Sequence, residues 1–267
     1  MSTATIYPAH PQLTGVPETP LEARIRQWVR VADFCRVLTL AGMEMFGLYL
    51  SGRANNAMAR ALWLQRLCKR LVRTIDLRAA YRGEPAKEGL FVFNHVSYID
   101  IITLSARHPV VFVAKKEVRS WPVIGWLAAS AGTIFIDRTK RSDVARITAE
   151  MSELLAQGVR VCIFPEGTSS NGSRVLPFRT SLLEPAIANE QTVTAGWIGY
   201  TLDDGDPATE VCYWGDLTFG PHLLNLFSKR CVYATVAYAP AGKGTGCRKE
   251  FGQRLHSLVC DLAKQRV

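Results

Sequence analysis

The sequence predicts an α/β protein: a mixed, mostly parallel sheet flanked by helices, with an N-terminal membrane-associated helical pair in front of it. Three observations lead there. Short apolar runs rich in strand formers recur at 90–93, 110–114, 133–136, 160–164, 192–200 and 232–238. Helical patterns separate several of them, which favours parallel pairing with helices packed on the sheet. Ahead of the first of these runs lie two segments of helical character and no strand signal, 21–50 and 53–75.

Taken in order, residues 1–20 carry Pro8, Pro11, Pro17 and Pro20 among Thr, Ala and Gly, the pattern of a disordered leader. No basic stretch followed by an apolar core appears there, so it does not read as a secretory signal. Residues 21–75 form the expected membrane-associated pair. The run 37–50, VLTLAGMEMFGLYL, is the most apolar in the chain, yet it contains Glu44. It is about 14 residues long where a full span needs about 20, so a buried or interfacial helix is expected. Residues 53–75 place Arg53, Arg60, Arg66, Lys69, Arg70 and Arg73 before any acid, with Met58, Leu62, Trp63, Leu67, Leu71 and Ile75 among them. That is a basic amphipathic helix, expected at a membrane surface. An ordinary core helix with a solvated basic face is the alternative. Residues 76–267 form the sheet-bearing domain. Its clearest helix, 144–156, aligns Val144, Ile147, Met151, Leu154 and Leu155 and stops before Gly158. A final amphipathic helix from Phe251 carries Leu255, Leu258, Val259 and Leu262.

The 267 residues, 48% of them hydrophobic, suffice for a sizeable core. The net charge of +9 and a pI of about 9.4 favour an anionic partner. Seven scattered cysteines without a C-x-x-C pair indicate a reduced setting and argue against a zinc site.

The chemistry concentrates at strand ends. The run LFVF is followed at once by Asn94 and His95, with Asp100 five places after the histidine. On one continuous helix those five residues would set the two side chains about 140° apart. His95 is therefore expected on a turn, with Ser97 as N-cap and Asp100 folding back onto one imidazole nitrogen. The other nitrogen is then free as a base. Taken alone, the segment reads equally as a capping turn with a structural histidine. A second strand, VCIF, ends in Pro165, Glu166, Gly167 and Thr168. If the two strands are neighbours, both motifs open on one crevice. Gly167 permits close approach, and Glu166 and Thr168 can hold a hydroxyl-bearing substrate. A third motif, GTIFIDR, places Arg138 just past another apolar run, where its planar fork suits phosphate or carboxylate.

The ordered set NHVSYID, GTIFIDR and FPEGT, with AKKEV and WPVIGW between the first two, resembles the lysophosphatidate acyltransferase family of glycerolipid acyltransferases over roughly residues 88–200. The resemblance implies an α/β acyltransferase domain on a membrane. It moves an acyl chain from acyl-CoA or acyl carrier protein to a lysolipid hydroxyl in phospholipid metabolism. It further implies His95 as base with Asp100 as its partner, and Arg138, Glu166 and Gly167 in acceptor binding. The family often has arginine directly after EGT, where Ser169 stands here. The run EGTSSNGSRVLPFRTSLL instead resembles the members that acylate lyso-ornithine lipid or other lysolipids, with Arg174 and Arg179 as replacements for the missing charge.

The expected reaction is direct attack of a lysolipid hydroxyl on a thioester. It needs no cofactor, metal or nucleophilic Ser or Cys, and backbone N–H groups near Asn94 are expected to hold the oxyanion. Expected partners are anionic membrane lipids, the lysolipid acceptor and acyl carrier protein, at the cytoplasmic face of a bacterial inner membrane. Lys115, Lys116 and Arg119 are candidates for steering an anionic donor. A hydrolase is disfavoured because AASAG at 128–132 lacks the first glycine of the G-x-S-x-G elbow. A non-enzymatic lipid-binding protein leaves the strand-end motifs unexplained. Nucleic-acid binding lacks a recognised module, and GKGTG at 242–246 lacks P-loop spacing.

Overall fold

The computed structural model describes residues 19–137 and 140–265. In chain order the elements are α1 (Pro20–Leu50), α2 (Ala57–Thr74), β1 (Leu77–Arg82), β2 (Leu90–Phe93), α3 (Ile99–Arg107), β3 (Val111–Lys115), α4 (Ile124–Ser130) and β4 (Ile134–Ile136). They continue with α5 (Arg141–Ala156), β5 (Val161–Ile163), α6 (Glu184–Ala188), β6 (Thr192–Leu202), α7 (Pro207–Glu210), α8 (Phe219–Ser228), β7 (Val232–Lys243) and α9 (Arg248–Lys264). The seven strands lie in the order β1-β7-β6-β2-β5-β3-β4. All pairings are parallel except the long β6–β7 ladder. The expected mixed, mostly parallel sheet is therefore present.

Alternation along each strand splits the core in two. Phe91 and Phe93 of β2, Phe112 of β3, Cys162 of β5, and Ile198 and Tyr200 of β6 face one side, with α1, α2, α3 and α8. Leu90, Val92, Val111, Val113, Val161, Ile163 and Trp197 face the other, with α5, α6 and α9. Central strands covered on both faces explain why β2 and β5 are apolar at every position. Gly196 on β6 is required by packing: a Cβ there would lie 2.0 Å from the Phe93 ring.

Several elements depart from expectation. β1, LRAAYR, is absent from the strand reading because Arg78 and Arg82 break the apolar run. It lies at the sheet edge beside β7, where Arg78 and Arg82 are exposed. The amphipathic α8, FGPHLLNLFS, has no flanking signal that marks it. α1 begins one residue earlier than the expected helix at 21–50. Thr19 forms a reciprocal capping box with Glu22, and Pro20 opens α1, so both belong to the helix. Residues 1–18 lie outside the described residues.

The largest correction concerns α2. Its apolar residues Trp63, Leu64, Leu67, Cys68 and Leu71 are buried against α3 and the sheet, not offered to a bilayer. Trp63 is wholly buried, and its indole N–H donates to the Ala41 carbonyl of α1 at 2.9 Å. On the basic face, Arg66 and Arg70 pair with Glu44 of α1, and Arg60 donates to the carbonyls of Ala129 and Ser130 at the end of α4. The core-helix alternative describes its apolar face, while part of its basic face is paired within the protein. The exposed apolar side chains are on α1 instead: Leu21, Ile25, Trp28, Met43, Phe46 and Leu50 are all more than half exposed.

Truncating Trp63 to Ala removes a fully enclosed indole and should lower the unfolding free energy by about 3–5 kcal/mol, read by urea denaturation. Binding of the folded fraction to lipid vesicles should be unchanged, because this side chain never reaches the surface.

Candidate active site

The turn after β2 is built around one carboxylate. Asp100, in the first turn of α3, is fully buried. Its Oδ2 accepts from the backbone N–H groups of Val96 at 2.8 Å and Ser97 at 3.0 Å. The same oxygen lies 2.7 Å from Nδ1 of His95. The acceptor character of Asp100 assigns the proton to Nδ1 and leaves Nε2 as a lone-pair acceptor. The His95 side chain is 21% exposed, so the ring has an inner edge on Asp100 and an outer edge toward solvent. It stacks on Phe164 with centroids 4.1 Å apart and planes 15° apart. Tyr200 of β6 donates its hydroxyl to Asp100 Oδ1 at 2.8 Å.

Two expectations are corrected here. Ser97 does not cap α3. The helix starts at Ile99, Tyr98 occupies the cap position without a side-chain bond, and the Ser97 hydroxyl is buried without a partner. The Asp100 carboxylate takes the free N–H groups of the turn in its place. For the same reason the amides of Val96 and Ser97 are already spent and do not form an oxyanion hole. Asn94 is also committed. Its side chain donates to Ile198 O at 2.9 Å and accepts from Ile198 N at 2.8 Å, which continues the β2–β6 pairing by one side-chain rung.

The second motif meets the first because β2 and β5 are parallel neighbours, with Leu90 opposite Val161 and Val92 opposite Ile163. Ser170 N–H donates to the His95 carbonyl at 3.0 Å, which ties the two turns together. Gly167 has φ 77°, in the left-handed region that suits glycine. Glu166 is buried, and neither carboxylate oxygen has a hydrogen-bond partner in good geometry. Burial pushes its pKa up to about 8; the amides of Leu176 and His95 oppose this and the Asp100 charge adds to it.

The remaining predicted residues spread out. Thr168 is exposed at the rim of the turn. Ser169 donates its hydroxyl to the Tyr213 carbonyl at 2.5 Å. Arg174 lines a cavity of about 190 Å³ with Asn94, Trp197 and Lys264. Arg179 lines a separate cavity of about 120 Å³ with Ile136 and Pro165. Arg138 lies outside the described residues; Ile136 ends β4, which β3 separates from β5. Lys115, Lys116 and Arg119 are exposed, and Lys116 pairs with Asp137 at 2.7 Å. Among the described residues no cluster of His, Cys, Asp or Glu is arranged to hold a metal. Tyr200 and Phe164, which hold the two sides of the His95–Asp100 pair, read in the sequence only as strand residues. β6 also carries Thr192, Thr194 and Thr201, so nothing in its sequence singles out Tyr200.

Residues 71–198 match the acyltransferase family model. A lyso-ornithine lipid O-acyltransferase of Rhizobium meliloti is 30% identical over 260 residues, which cover 90% of this chain and 89% of that protein. The chain belongs to the acyltransferase family. A lyso-ornithine lipid O-acyltransferase of Rhodobacter capsulatus is 36% identical over 170 residues, 61% of this chain. That match spans 60% of the relative's own length. The fold is shared with the crystal structure of the 1-acyl-sn-glycerophosphate (LPA) acyltransferase, PlsC, from Thermotoga maritima. That likeness has a TM-score of 0.62 and 19% identity, and covers 92% of this chain and 99% of that one. The stretch matched to the acyltransferase family holds His95, Asp100, Glu166 and Gly167 and ends on β6 two residues before Tyr200.

The buried Glu166 predicts a pH dependence of stability. The unfolded chain releases this proton near 4.5, the folded chain near 8. Stability is therefore whole below 4.5, falls as pH rises between the two values, and levels off above 8. Glu166→Gln should remove that fall, leaving the variant more stable than wild type by about 4 kcal/mol at high pH. Urea denaturation of both proteins across pH 4 to 9 would read the difference.

Proposed function

We propose that the protein is a membrane-associated O-acyltransferase that moves an acyl chain from acyl-CoA or acyl carrier protein to the free hydroxyl of a lysolipid. One observation carries this reading: an imidazole tethered through Nδ1 to a fully buried carboxylate, with its other edge open at the carboxyl end of a parallel sheet. His95 Nε2 takes the proton of the acceptor hydroxyl as its oxygen attacks the thioester carbonyl. The tetrahedral adduct then expels the thiolate, which receives the same proton from His95. Asp100 holds the tautomer and stabilises the imidazolium that forms between the two steps. Phe164 holds the ring plane.

Lyso-ornithine lipid is the favoured acceptor and lysophosphatidate the alternative. The run from Glu166 to Leu183 resembles the former group, and the relatives from Rhizobium meliloti and Rhodobacter capsulatus carry that name. At position 169 the serine hydroxyl is spent on Tyr213, so it brings no charge for a phosphate. Arg174 and Arg179 are the proposed sources of positive charge.

The membrane contact is proposed for α1. Leu21, Ile25, Trp28, Met43, Phe46 and Leu50 recur at helical spacing along one face of a helix about 46 Å long. Among the described residues no helix is long and apolar enough to cross a membrane. An interfacial helix lying along the surface accounts for both facts. The cytoplasmic face of a bacterial inner membrane is the proposed site, where thioester donors are available. A non-enzymatic lipid-binding protein would use the same face of α1, but would leave the buried Asp100 pairing without a purpose.

His95→Ala should fold normally and lose roughly 10²–10⁴-fold or more of its transfer rate, measured by mass spectrometry of the acylated product. Normal turnover by that variant would sink the mechanism. A panel of lyso-ornithine lipid and lysophosphatidate with each donor identifies the substrates. Replacing Trp28 and Phe46 together by Ala should weaken partitioning onto anionic vesicles by roughly tenfold or more, read by co-sedimentation, while leaving the fold intact.

A further inference from the structure

We propose that Tyr200 is a positioning residue for the His95–Asp100 pair, holding the carboxylate by the oxygen that the histidine does not use. The proposal rests on reading His95 as the base, and concerns a residue beyond the stretch matched to the family.

The two oxygens of Asp100 are loaded unequally. Oδ2 takes three donors: His95 Nδ1 and the amides of Val96 and Ser97. Oδ1 takes the Tyr200 hydroxyl. All three donors to Oδ2 come from one short turn, so they move together if that turn moves. Tyr200 comes from β6, the strand beside β2, and ties the carboxylate to the sheet. Its own position is set by β2. Phe93 pairs with Gly196, and the Asn94 side chain then grips the backbone of Ile198 at both its N–H and its C=O. Two residues further along the same face of β6 stands Tyr200. Thr103 Oγ1 of α3, whose proton goes to Ile99 O, lies 3.3 Å from the Tyr200 hydroxyl and packs against it from the helix side.

Tyr200 is 7% exposed, and burial beside the Asp100 charge drives its ionisation far above the usual range. A neutral, enclosed phenol of this kind donates a hydrogen bond and does not touch substrate. Its effect on the reaction runs through Asp100 to the imidazole: it fixes the carboxylate rotation and withdraws part of the negative charge from Oδ2.

The test is Tyr200→Phe, which keeps the ring and removes only the hydroxyl, beside wild type, His95→Ala and Thr103→Val. Tyr200→Phe is expected to lower kcat by roughly tenfold with KM for both substrates within about twofold, the pattern of a misaligned base, not a lost binding contact. In proton NMR, the His95 Nδ1 proton should move from its wild-type position, whereas Thr103→Val should leave it nearly in place. A Tyr200→Phe protein with wild-type kcat and an unmoved Nδ1 resonance would overturn the proposal. So would a loss of rate with an unmoved resonance, which assigns Tyr200 a general structural role. The two readings fail separately. Full activity in His95→Ala removes the base, whereas an inactive His95→Ala beside an unperturbed Tyr200→Phe removes only the positioning role.

Discussion

The buried carboxylate of Asp100 is the constraint on which the site depends. A carboxylate taken out of water is costly unless its lone pairs are met. Here they are met by two turn amides, an imidazole N–H and a phenol. Satisfying the charge in this way forces the turn between β2 and α3 into one shape. It delays the helix start to Ile99, consumes the amides that a nearby oxyanion hole would need, and fixes the plane and tautomer of His95. The open edge of the ring is a consequence of how the inner edge is held.

Sheet topology supplies the rest. β2 lies between β5 and β6, so the His95 turn is flanked by the Glu166 turn on one side and by Tyr200 on the other. Strand alternation sends Phe93 and Phe164 to the α3 side and Trp197 to the α9 side. Asn94, next to His95 in the chain, and Trp197 line the cavity that Arg174 and Lys264 also line. Glu166 is the contrasting carboxyl. Burial, with the Asp100 charge adding to it, pushes its pKa up to about 8.

The N-terminal helices divide the work differently from their sequences. α2 has the basic amphipathic pattern of a surface-seeking helix, yet its apolar face is consumed by α3 and β1, and much of its charge by Glu44 and the end of α4. α1 is anchored by its inner face: Arg26 and Arg30 donate to the last carbonyls of α8, and Ala41 accepts from Trp63. Its outer face leaves large apolar side chains uncovered near both ends, at Leu21, Ile25 and Trp28 and at Met43, Phe46 and Leu50. The proposed membrane contact therefore follows from which helix reached the core, a matter that amphipathicity does not decide.

The sequence alone determined the local elements with strong periods and the chemistry at their ends. The buried strands, the helices α1, α2, α5 and α9, the turn carrying His95 and the folding back of Asp100 all follow from short-range pattern. A run of four apolar residues or a five-residue spacing constrains the backbone by itself. Whether the strands before the His95 and Glu166 motifs are neighbours was left open by the sequence, and the parallel pairing of β2 with β5 settles it. Tertiary structure decided what depends on partners distant in the chain. The edge strand β1 exists because β7 pairs with it. Trp63 is buried because α1 crosses it, and Asn94 is structural because Ile198 stands opposite. Tyr200 reaches Asp100 from 100 residues away because the register of β6 on β2 places it there. A side chain's type is written in the sequence, but whether it meets solvent, lipid or a buried charge is set by what packs against it.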